Sequence, residues 1–481
     1  MYIGKKYYAA TPVFETLNAH QREQIHFATL RVLAEKGLIL QHPQAIELLK
    51  AHGAQVDGER VCLPRELVEW ALQRVPSGFV IFDRNGEAAL RTEGRNVYFG
   101  SGSDTTLLFD YETREGKRWS KQQMGEAVRV IDALPNLDFT MSMGLIDDVP
   151  SAVNKREQYA MMIRNTVKPH VVVCDVTEEL EDVFNMYIAV RGSKEALRQK
   201  PCAIVYNEPT SPLICTKDAI DKLLLCADYG MPSNFATGGL AGGTTPITAA
   251  GSIVLSNAEC LFGLTIQQCY RPGAPFLFGY CNSPIDMLTI QSDYATPQAL
   301  TIQLGMCDMA RYYNLPCWGE AGDSISKVCD EQSALEAMQL IQMSALAGCN
   351  IIHDVGYMNF GLGFSLEHLV ICDEIIDRVK AVMEGVEVTE ESLCVEGILA
   401  VKPGGDFLRD KVTRAHMREL WRGELSDLNS YSTWWDRGAS SMGERAHAKV
   451  KKLIAEHQPP ALDAAADAQI EAILQAAYAK L

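Results

Sequence analysis

PCWGEAGDS at residues 316–324 and GCNIIHDVGYMNFGLG at residues 348–363 are the two segments that decide the fold of this chain. Each contains a short apolar run that ends in polar residues and glycine, and an amphipathic pattern follows each of them. This is the succession of strand, loop and helix, present twice. In a parallel β/α array such loops lie at the carboxyl ends of the strands, where polar side chains converge on a ligand. The polar and aromatic residues that we expect there are Glu320, Asp323, His353, Asp354, Tyr357, Asn359 and Phe360.

The same alternation extends over most of the chain. From about residue 137, helix-sized segments separate a series of short apolar runs, which are DFTMSMG, KPHVVVCD, PCAIVYNEP, SNFATGG, APFLFGYCNS, PCWGEAGDS and CNIIHDVG. With NVYFG as an eighth strand, the pattern favours an α/β fold, a closed (β/α)8 TIM barrel, over an open doubly wound sheet. No GxGxxG or Walker pattern follows any of these runs, which argues against a dinucleotide or nucleotide site.

Three regions follow from this pattern. Residues 1–95 are predicted to form an N-terminal helical segment, residues 96–386 the (β/α)8 catalytic domain, and residues 387–481 a C-terminal helical extension. Terminal helices that are appended to a barrel usually pack their apolar faces on the barrel or on a second subunit. We therefore expect a homo-oligomer.

Composition limits the class of protein. The chain has 481 residues, of which 47% are hydrophobic and 22% charged, as in a globular protein with a large core. Its formal net charge of -17 argues against nucleic acid as a partner, because phosphate binding requires a basic surface. The start MYIGKKYYAATPVF lacks the apolar core of a signal peptide, and no uninterrupted apolar run reaches about 18 residues. We expect a cytoplasmic protein with no membrane segment.

Fourteen cysteines are scattered through predicted strands and helices, with no CxxC pair. This distribution favours buried, reduced and inert thiols over a disulfide framework. A zinc site built from Cys307, Cys317, Cys329 and His353 is an alternative that their spacing does not support. We therefore assign no metal ligand.

Aromatic residues stand beside acidic or amide residues at several predicted strand ends. Ring faces attract a quaternary ammonium by about 0.5 to 2 kcal/mol each, and carboxylates add a negative field, so the expected ligand is a small organic cation. No residue is assigned as catalytic. The candidate substrate-binding residues are Tyr98, Phe99, Asn207, Glu208, Tyr280, Glu320, Asp323, His353, Tyr357 and Phe360.

Each of these candidates also has a structural interpretation. An aromatic residue at a strand end more often packs than binds, and Glu320 or Asp323 could cap the helix that begins near Asp330 or pair with Lys327. His353 could equally be a hydrogen-bonded core histidine. The glycine-rich run GGLAGGTTP at residues 238–246 lacks the lysine of a phosphate-binding loop, and it suits close approach to something flat and large.

Three segments carry a resemblance to a known family: GCNIIHDVGYMNFGLGFSLEHLVICDEIIDRV, the preceding GDSISKVCDEQSALEAM, and the late WWDRGASSMGERAHAKVKKLIAEHQPPALD. They resemble the trimethylamine methyltransferase family, and the resemblance covers nearly the whole chain. It implies a (β/α)8 barrel that transfers a methyl group from a methylamine to the cobalt of a corrinoid. That cofactor is carried by a separate partner protein, so the chain itself is expected to bind none.

One departure from the family pattern concerns the amine. Archaeal trimethylamine enzymes carry pyrrolysine in the region that resembles GEAGDSISKVCDEQ, whereas this chain has ordinary residues throughout positions 319–332. It therefore resembles the non-pyrrolysine branch, which implies a quaternary amine as substrate: glycine betaine first, then carnitine or proline betaine. A betaine-binding or sensing barrel without turnover, and a zinc-dependent methyltransferase, are the alternatives.

Overall fold

The computed structural model describes residues 12–481, so the first part of the predicted N-terminal segment, residues 1–11, lies outside the described residues. Eight short strands form a closed parallel barrel. They are β1 (Tyr98–Ser101), β2 (139–140), β3 (His170–Val172), β4 (Ala203–Val205), β5 (Ser233–Asn234), β6 (Phe276–Leu277), β7 (Trp318–Glu320) and β8 (Ile351–Val355). Each strand pairs with the next, and β8 pairs with β1 to close the ring.

A helix follows each strand and packs on the outside of the barrel. The eight helices are α1 (Lys121–Ala133), α2 (Ser151–Asn165), α3 (Thr177–Arg191), α4 (Lys217–Tyr229), α5 (Ala249–Tyr270), α6 (Pro297–Tyr312), α7 (Glu331–Ala347) and α8 (Leu366–Met383). Ser120, Asp330 and Ser365 cap α1, α7 and α8 by accepting a backbone N–H, as polar N-cap residues do. The prediction of a (β/α)8 barrel is confirmed, and the segment NVYFG, expected as an eighth strand, forms β1.

The interior of the barrel is filled by side chains, and its amino-terminal end is closed. A hairpin of Val80–Phe82 and Ala88–Arg91 lies across that end. Its Ile81, Ala89 and Leu90 form one buried cluster with inward-facing side chains of the strands, which are Tyr98, Phe139, Val171, Ile204, Leu277, Trp318 and Ile351. A ligand must therefore approach from the carboxyl ends of the strands, as in other barrels of this class.

Shortening one side chain of this hairpin tests the packing of the barrel interior. Ile81 is fully buried in the barrel cluster. Ile81→Val should lower the free energy of unfolding by about 1 kcal/mol, because one buried methylene is removed and a small cavity remains. Denaturant unfolding measures the change. Ile398→Val, at a position that is 57% exposed, is the matched control and should change stability by less than about 0.5 kcal/mol.

The N-terminal region contains more than the predicted helices. Three helices (Ala19–Arg31, Pro43–Ala51 and Arg65–Leu72) and a π-helical turn (Val32–Lys36) alternate with three strands, Leu38–Leu40, Gln55–Asp57 and Arg60–Cys62. The strand Ile214–Cys215, from the loop after β4, pairs in parallel with Leu38–Leu40, so the small sheet ties this region to the barrel. Short strands therefore accompany the three helices of this segment.

Helix α5 lies between the barrel and these N-terminal helices. It is the one helix of the described residues that is long and apolar enough to cross a membrane, but 72% of its most apolar window is buried inside the protein. This burial is what a core helix of a barrel requires, since one face meets the strands and the other meets the N-terminal layer.

The remaining short elements lie at the carboxyl-terminal face and in the C-terminal region. Short strands above the barrel are Leu107–Phe109, Gly116–Lys117, Leu240–Ala241, Ser283–Pro284, Tyr357–Met358 and Gly363–Phe364, and Lys194–Gln199 is a short helix after α3. The C-terminal helices are Glu390–Leu393, Val395–Ala400, Lys411–His416, Tyr431–Asp436, Met442–Glu456 and Ala464–Tyr478. The last of these packs on α2 and α3, where Arg164 pairs with Asp467 at 2.6 Å. The three-region division of the chain stays a prediction.

Candidate functional site

Strands β7 and β8 bring the central polar residues together. Glu320 and His353 are direct partners in the parallel ladder. The register between β8 and β1 shifts between Ile352 and Val355, and Asp354 adopts a φ of 75°. Successive residues of a regular strand point to opposite faces, but a bulge can turn both the same way. Asp354 Oδ2 accordingly lies 3.3 Å from His353 Nδ1.

An aromatic and sulfur-containing wall stands beside this pair. The ring of His353 meets Trp318 edge to face at 4.2 Å, and Trp318 lies 5.8 Å from Tyr206. Cys281 Sγ connects the two sides, at 3.3 Å from His353 Nε2 and 3.8 Å from Tyr206 Oη. Burial lowers the pKa of His353 to about 3, so this imidazole is neutral at physiological pH. The wall presents uncharged rings to the mouth of the barrel.

Three carboxyl groups lie buried in the same place. They belong to Glu320, Asp323 and Asp354, and both carboxyl oxygens of Glu320 and Oδ1 of Asp323 have no hydrogen-bond partner among the described residues. Burial, followed by repulsion from the other two carboxyls, raises the pKa of Glu320 well above its usual value, and burial raises the pKa of Asp323 to about 7. Burial and the charge of Asp323 also raise the pKa of Asp354. No positively charged side chain of the described residues neutralises these carboxyls, so the site favours the binding of a cation.

Tyrosine rings line the opening above the carboxyls. Tyr294 lies close enough to Glu320 and Asp354 for their charges to add to the effect of burial in raising its pKa. A Cβ added at Gly361 would lie 3.7 Å from the rings of both Tyr294 and Tyr357, so the two rings flank this glycine. Tyr206, Tyr294 and Tyr357 are each partly exposed to solvent, at the carboxyl-terminal side of the barrel.

The position of Tyr357 is fixed by the loop after β1. The backbone N–H of Ser103 donates to Tyr357 Oη at 2.5 Å, and the tyrosine hydroxyl donates to the Ser103 carbonyl. A Cβ at Gly102 would lie 2.2 Å from the Tyr357 ring and 2.5 Å from Asp354 Oδ1. Glycine is therefore required at position 102 for the ring and the carboxyl to stand where they do.

A buried ion pair supports the opposite side of the mouth. Lys155 Nζ lies 2.7 Å from Asp104 Oδ2, and the hydroxyl of Ser142 donates to Asp104 Oδ1 at 2.6 Å. Burial alone would lower the pKa of Lys155, but the charge of Asp104 outweighs it, and the pKa is raised. Next to this pair, Tyr206 donates to Glu208 at 3.0 Å. Solvent reaches Glu208, yet the surrounding protein raises its pKa.

The structure brings together five of the ten residues predicted from the sequence. Glu320, Asp323, His353 and Tyr357 meet at the carboxyl ends of β7 and β8, and Glu208 lies across the mouth from them. Phe360 lies in the loop that follows β8, where Lys327 Nζ stands 4.2 Å from the centre of its ring. The cation of Lys327 therefore occupies one face of that ring.

The other four predicted residues lie elsewhere. Tyr98 is at the closed end, where its hydroxyl accepts the N–H of Arg91, and Phe99 points outward into the core between strands and helices. Asn207 donates to Ser233 Oγ at 3.1 Å. Tyr280 packs between the strands and the outer helices, 3.0 Å from Cys307 Sγ. Strand residues alternate between faces, so a strand-end position alone does not place a side chain in the mouth.

Sequence reasoning missed several residues of the mouth. Trp318, Cys281 and Tyr294 were not among the candidates, and Asp354 was noted only as a strand-end residue. Alternation would have found Trp318, which faces inward two residues before Glu320. The proposed zinc set is separated, because His353 lies inside the barrel, Cys307 and Cys317 lie outside its wall, and Cys329 lines a surface cavity.

Comparison with known proteins agrees with this architecture. Residues 4–479 match the family described as trimethylamine methyltransferase. A trimethylamine methyltransferase of Desulfitobacterium hafniense is 29% identical over 94% of this chain and 91% of the relative. The glycine betaine methyltransferase of Desulfitobacterium hafniense strain Y51 is 28% identical over 96% and 97%. The monomethylamine methyltransferase of Methanosarcina barkeri is a solved structure with 12% identity, a TM-score of 0.53, and coverage of 97% of this chain and 88% of its own.

Proposed function

The chain belongs to the trimethylamine methyltransferase family, and from that premise we propose that it moves a methyl group from a quaternary amine to Co(I) of a corrinoid. The corrinoid is carried by a separate protein, and glycine betaine is the first substrate to test, with carnitine and proline betaine next. Similarity over nearly the whole length to a relative named glycine betaine methyltransferase supports this choice. We further propose a cytoplasmic homo-oligomer.

The observation that carries the proposal is the uncompensated carboxyl cluster beneath tyrosine and tryptophan rings. Glu320, Asp323 and Asp354 share a buried space, and within residues 12–481 no basic side chain is near enough to lower the pKa of any of them. Buried carboxylates require a counter-charge, and a quaternary ammonium supplies one without hydrogen-bond donors. Ring faces bind the same cation through its methyl groups.

The chemistry suits a site without an acid catalyst. A quaternary nitrogen already carries the positive charge of a good leaving group, and it departs as a neutral tertiary amine when the methyl carbon is displaced. The residues present have to remove water from the cation, orient one methyl group toward the opening and hold it there. When bound on its partner, the corrinoid supplies the Co(I) nucleophile.

The carboxyls must not bind the cation too tightly. The substrate loses its positive charge as the methyl group leaves, so a strong field favours the ground state over the transition state. The raised pKa values of Glu320 and Asp354 limit that field, because burial and mutual repulsion disfavour the ionised form of each carboxyl. Uncharged contacts from Trp318, Tyr206 and the neutral His353 complete the pocket.

The rim of the mouth offers a surface for the corrinoid protein. The loops after β5 and β6 carry exposed apolar side chains, namely Ile247, Met287, Leu288 and Ile290. A Cβ at Gly242, in the glycine-rich run, would lie 3.6 Å from Ile247 and 3.7 Å from Met287, so the two loops meet there. Exposed apolar side chains that lie together on a surface are typical of a protein-binding site. We place the partner on this rim.

A charge on the rim tests the docking of the partner. Leu288 is 95% exposed, so Leu288→Asp should leave folding and betaine binding unchanged. The KM for the corrinoid protein should rise about tenfold, because a desolvated carboxylate costs about 1.4 kcal/mol or more at an apolar interface. Leu335→Asp, on the exposed face of α7, is the matched control and should have no effect. Equal KM values for Leu288→Asp and Leu335→Asp would show that the corrinoid protein does not bind at this rim.

The test of the function itself is methyl transfer. Purified chain, the Co(I) form of a candidate corrinoid protein and each betaine are mixed, and methyl-cobalt formation is followed by the change in corrinoid absorbance. We expect transfer from at least one quaternary amine and none in controls that contain no quaternary amine. Betaine binding by calorimetry with no spectral change would favour a sensing barrel without turnover, and no transfer from any quaternary amine would overturn the proposal.

A further inference from the structure

Three cysteines from separate elements meet outside the barrel wall. Cys307 lies on α6, Cys317 directly precedes β7, and Cys349 lies between α7 and β8. Cys317 Sγ is 3.6 Å from Cys307 Sγ and 3.7 Å from Cys349 Sγ, and all three sulfur atoms lie within 4.8 Å of one another. All three side chains are buried, so they form a closed cluster that the proposed methyl transfer does not use.

The spacing of the sulfur atoms is that of a metal site. Zinc binds thiolates at about 2.3 Å, and tetrahedral angles then place neighbouring sulfur atoms about 3.8 Å apart. The Cys307–Cys317 and Cys317–Cys349 separations agree with that value within 0.2 Å, and the Cys307–Cys349 pair lies within 4.8 Å. The hydroxyl of Tyr280 lies 3.0 Å from Cys307 Sγ and stands at the fourth side. A Cβ at Gly319 would lie 2.6 Å from that hydroxyl and 2.8 Å from Cys349 Sγ, so glycine leaves the space open.

An incompletely bonded cation beside the cluster is an independent observation. Arg311 Nε and Nη2 are buried without a hydrogen-bond partner among the described residues, and Nη1 reaches only the Gly348 carbonyl at 3.5 Å. The positive charge of Arg311 acts on both Cys307 and Cys349. The charge of Arg311 also acts on the carboxyl of Asp308, which accepts the backbone N–H groups of Thr16 and Leu17 and makes no hydrogen bond to the guanidinium. The two buried guanidinium nitrogens therefore favour a further anion beside them. One zinc ion with three thiolates has a net charge of minus one and supplies it.

We propose that Cys307, Cys317 and Cys349 bind one zinc ion, with the Tyr280 hydroxyl at the fourth position. Binding displaces three thiol protons to solvent and involves no change of oxidation state. The ion is structural, because no side of it faces the mouth or the surface. It joins α6 to the strands that carry Trp318, Glu320 and His353, so it holds the wall of the mouth from behind.

Metal content and a cobalt spectrum test the site. Chain purified from zinc-supplemented cells should contain about one zinc per chain, as expected for a structural site. Chain produced with Co²⁺ in place of zinc should show thiolate-to-cobalt charge-transfer absorption in the near ultraviolet. Cys317→Ala should lose both signals. Cys226→Ala, at an equally buried cysteine on α4, is the matched control and should keep both.

The outcomes separate the proposal from simple thiol packing. Wild-type chain that holds neither zinc nor Co²⁺, while all fourteen cysteines titrate as free thiols after unfolding, would overturn it. Stoichiometric copper in place of zinc would overturn the assignment of the ion. If Cys317→Ala does not fold, the cobalt spectrum of the wild-type chain still decides the question, and methyl-transfer activity plays no part in it.

Discussion

Replacing Asp323 with asparagine should weaken the binding of a quaternary ammonium about 30-fold at pH 8 and only about threefold at pH 6. Burial raises the pKa of Asp323 to about 7, so its carboxyl is largely ionised at pH 8 and supplies negative charge there. A unit charge about 8 Å from the cation at an effective dielectric constant near 20 contributes about 2 kcal/mol. At pH 6 most Asp323 carboxyls are already protonated, so the substitution then removes little charge.

Tetramethylammonium is the probe for this experiment, because it carries the cation without a carboxylate, and calorimetry at several pH values gives its affinity. Binding to the wild-type chain should strengthen about tenfold between pH 6 and pH 8, and this dependence should be lost in Asp323→Asn. Asp286→Asn removes an exposed acid of the rim and is the matched control, with wild-type affinity expected at both pH values. Equal losses at pH 6 and pH 8 would contradict a role for the charge.

The same substitution separates binding from chemistry. Since the substrate's charge disappears in the transition state, loss of a carboxylate should weaken ground-state binding more than it lowers kcat. Kinetics with the betaine that proves active should therefore show a raised KM with kcat unchanged or raised. A fall in kcat of the same size would instead place Asp323 in the transition-state environment.

The barrel was predictable because its signal is repeated. Seven apolar runs of strand length, each followed by a helix-sized amphipathic segment, leave few alternatives to a closed parallel array. The small sheet in the N-terminal region was missed, since strands such as Leu38–Leu40 are three residues long and depend on pairing with Ile214–Cys215, far away in the chain. Local pattern does not report such pairing.

The site was only partly predictable, for reasons that differ between residues. Glu320 and His353 were found as polar residues at strand ends, and both also face inward, because each stands two residues after an inward-facing residue of its strand. Tyr98 and Tyr280 were misplaced because strand ends were judged without regard to which end or which face each residue occupies. Tyr294 comes from the long loop between β6 and α6, and no periodic pattern places a loop residue over a distant pair of strands.

Asp323→Asn should raise the free energy of unfolding relative to the wild type, and this increase should grow by about 2–3 kcal/mol between pH 5 and pH 8. Asp323 titrates near 7 in the folded chain and near 3.9 when unfolded, so its contribution is most favourable below pH 4 and is lost as pH rises through 7. The neighbouring Glu336 and Asp293, which also raise its pKa, act in the same direction. Asparagine cannot ionise and avoids this loss.

Comparison of the Asp323→Asn variant with the wild type separates the titration of Asp323 from that of other groups. Burial lowers the pKa of His170 and His353 to about 3 and of His368 to about 4, so these histidines destabilise both chains equally as pH falls below about 6.5. Their contribution cancels in the difference between variant and wild type, measured by denaturant unfolding at each pH.

Saturating tetramethylammonium should shrink that difference at pH 8, because the cation stabilises the ionised carboxyl of the wild type. A difference that stays constant with pH would mean that Asp323 keeps an ordinary pKa, and the buried acidic cluster would then lose its part in cation binding.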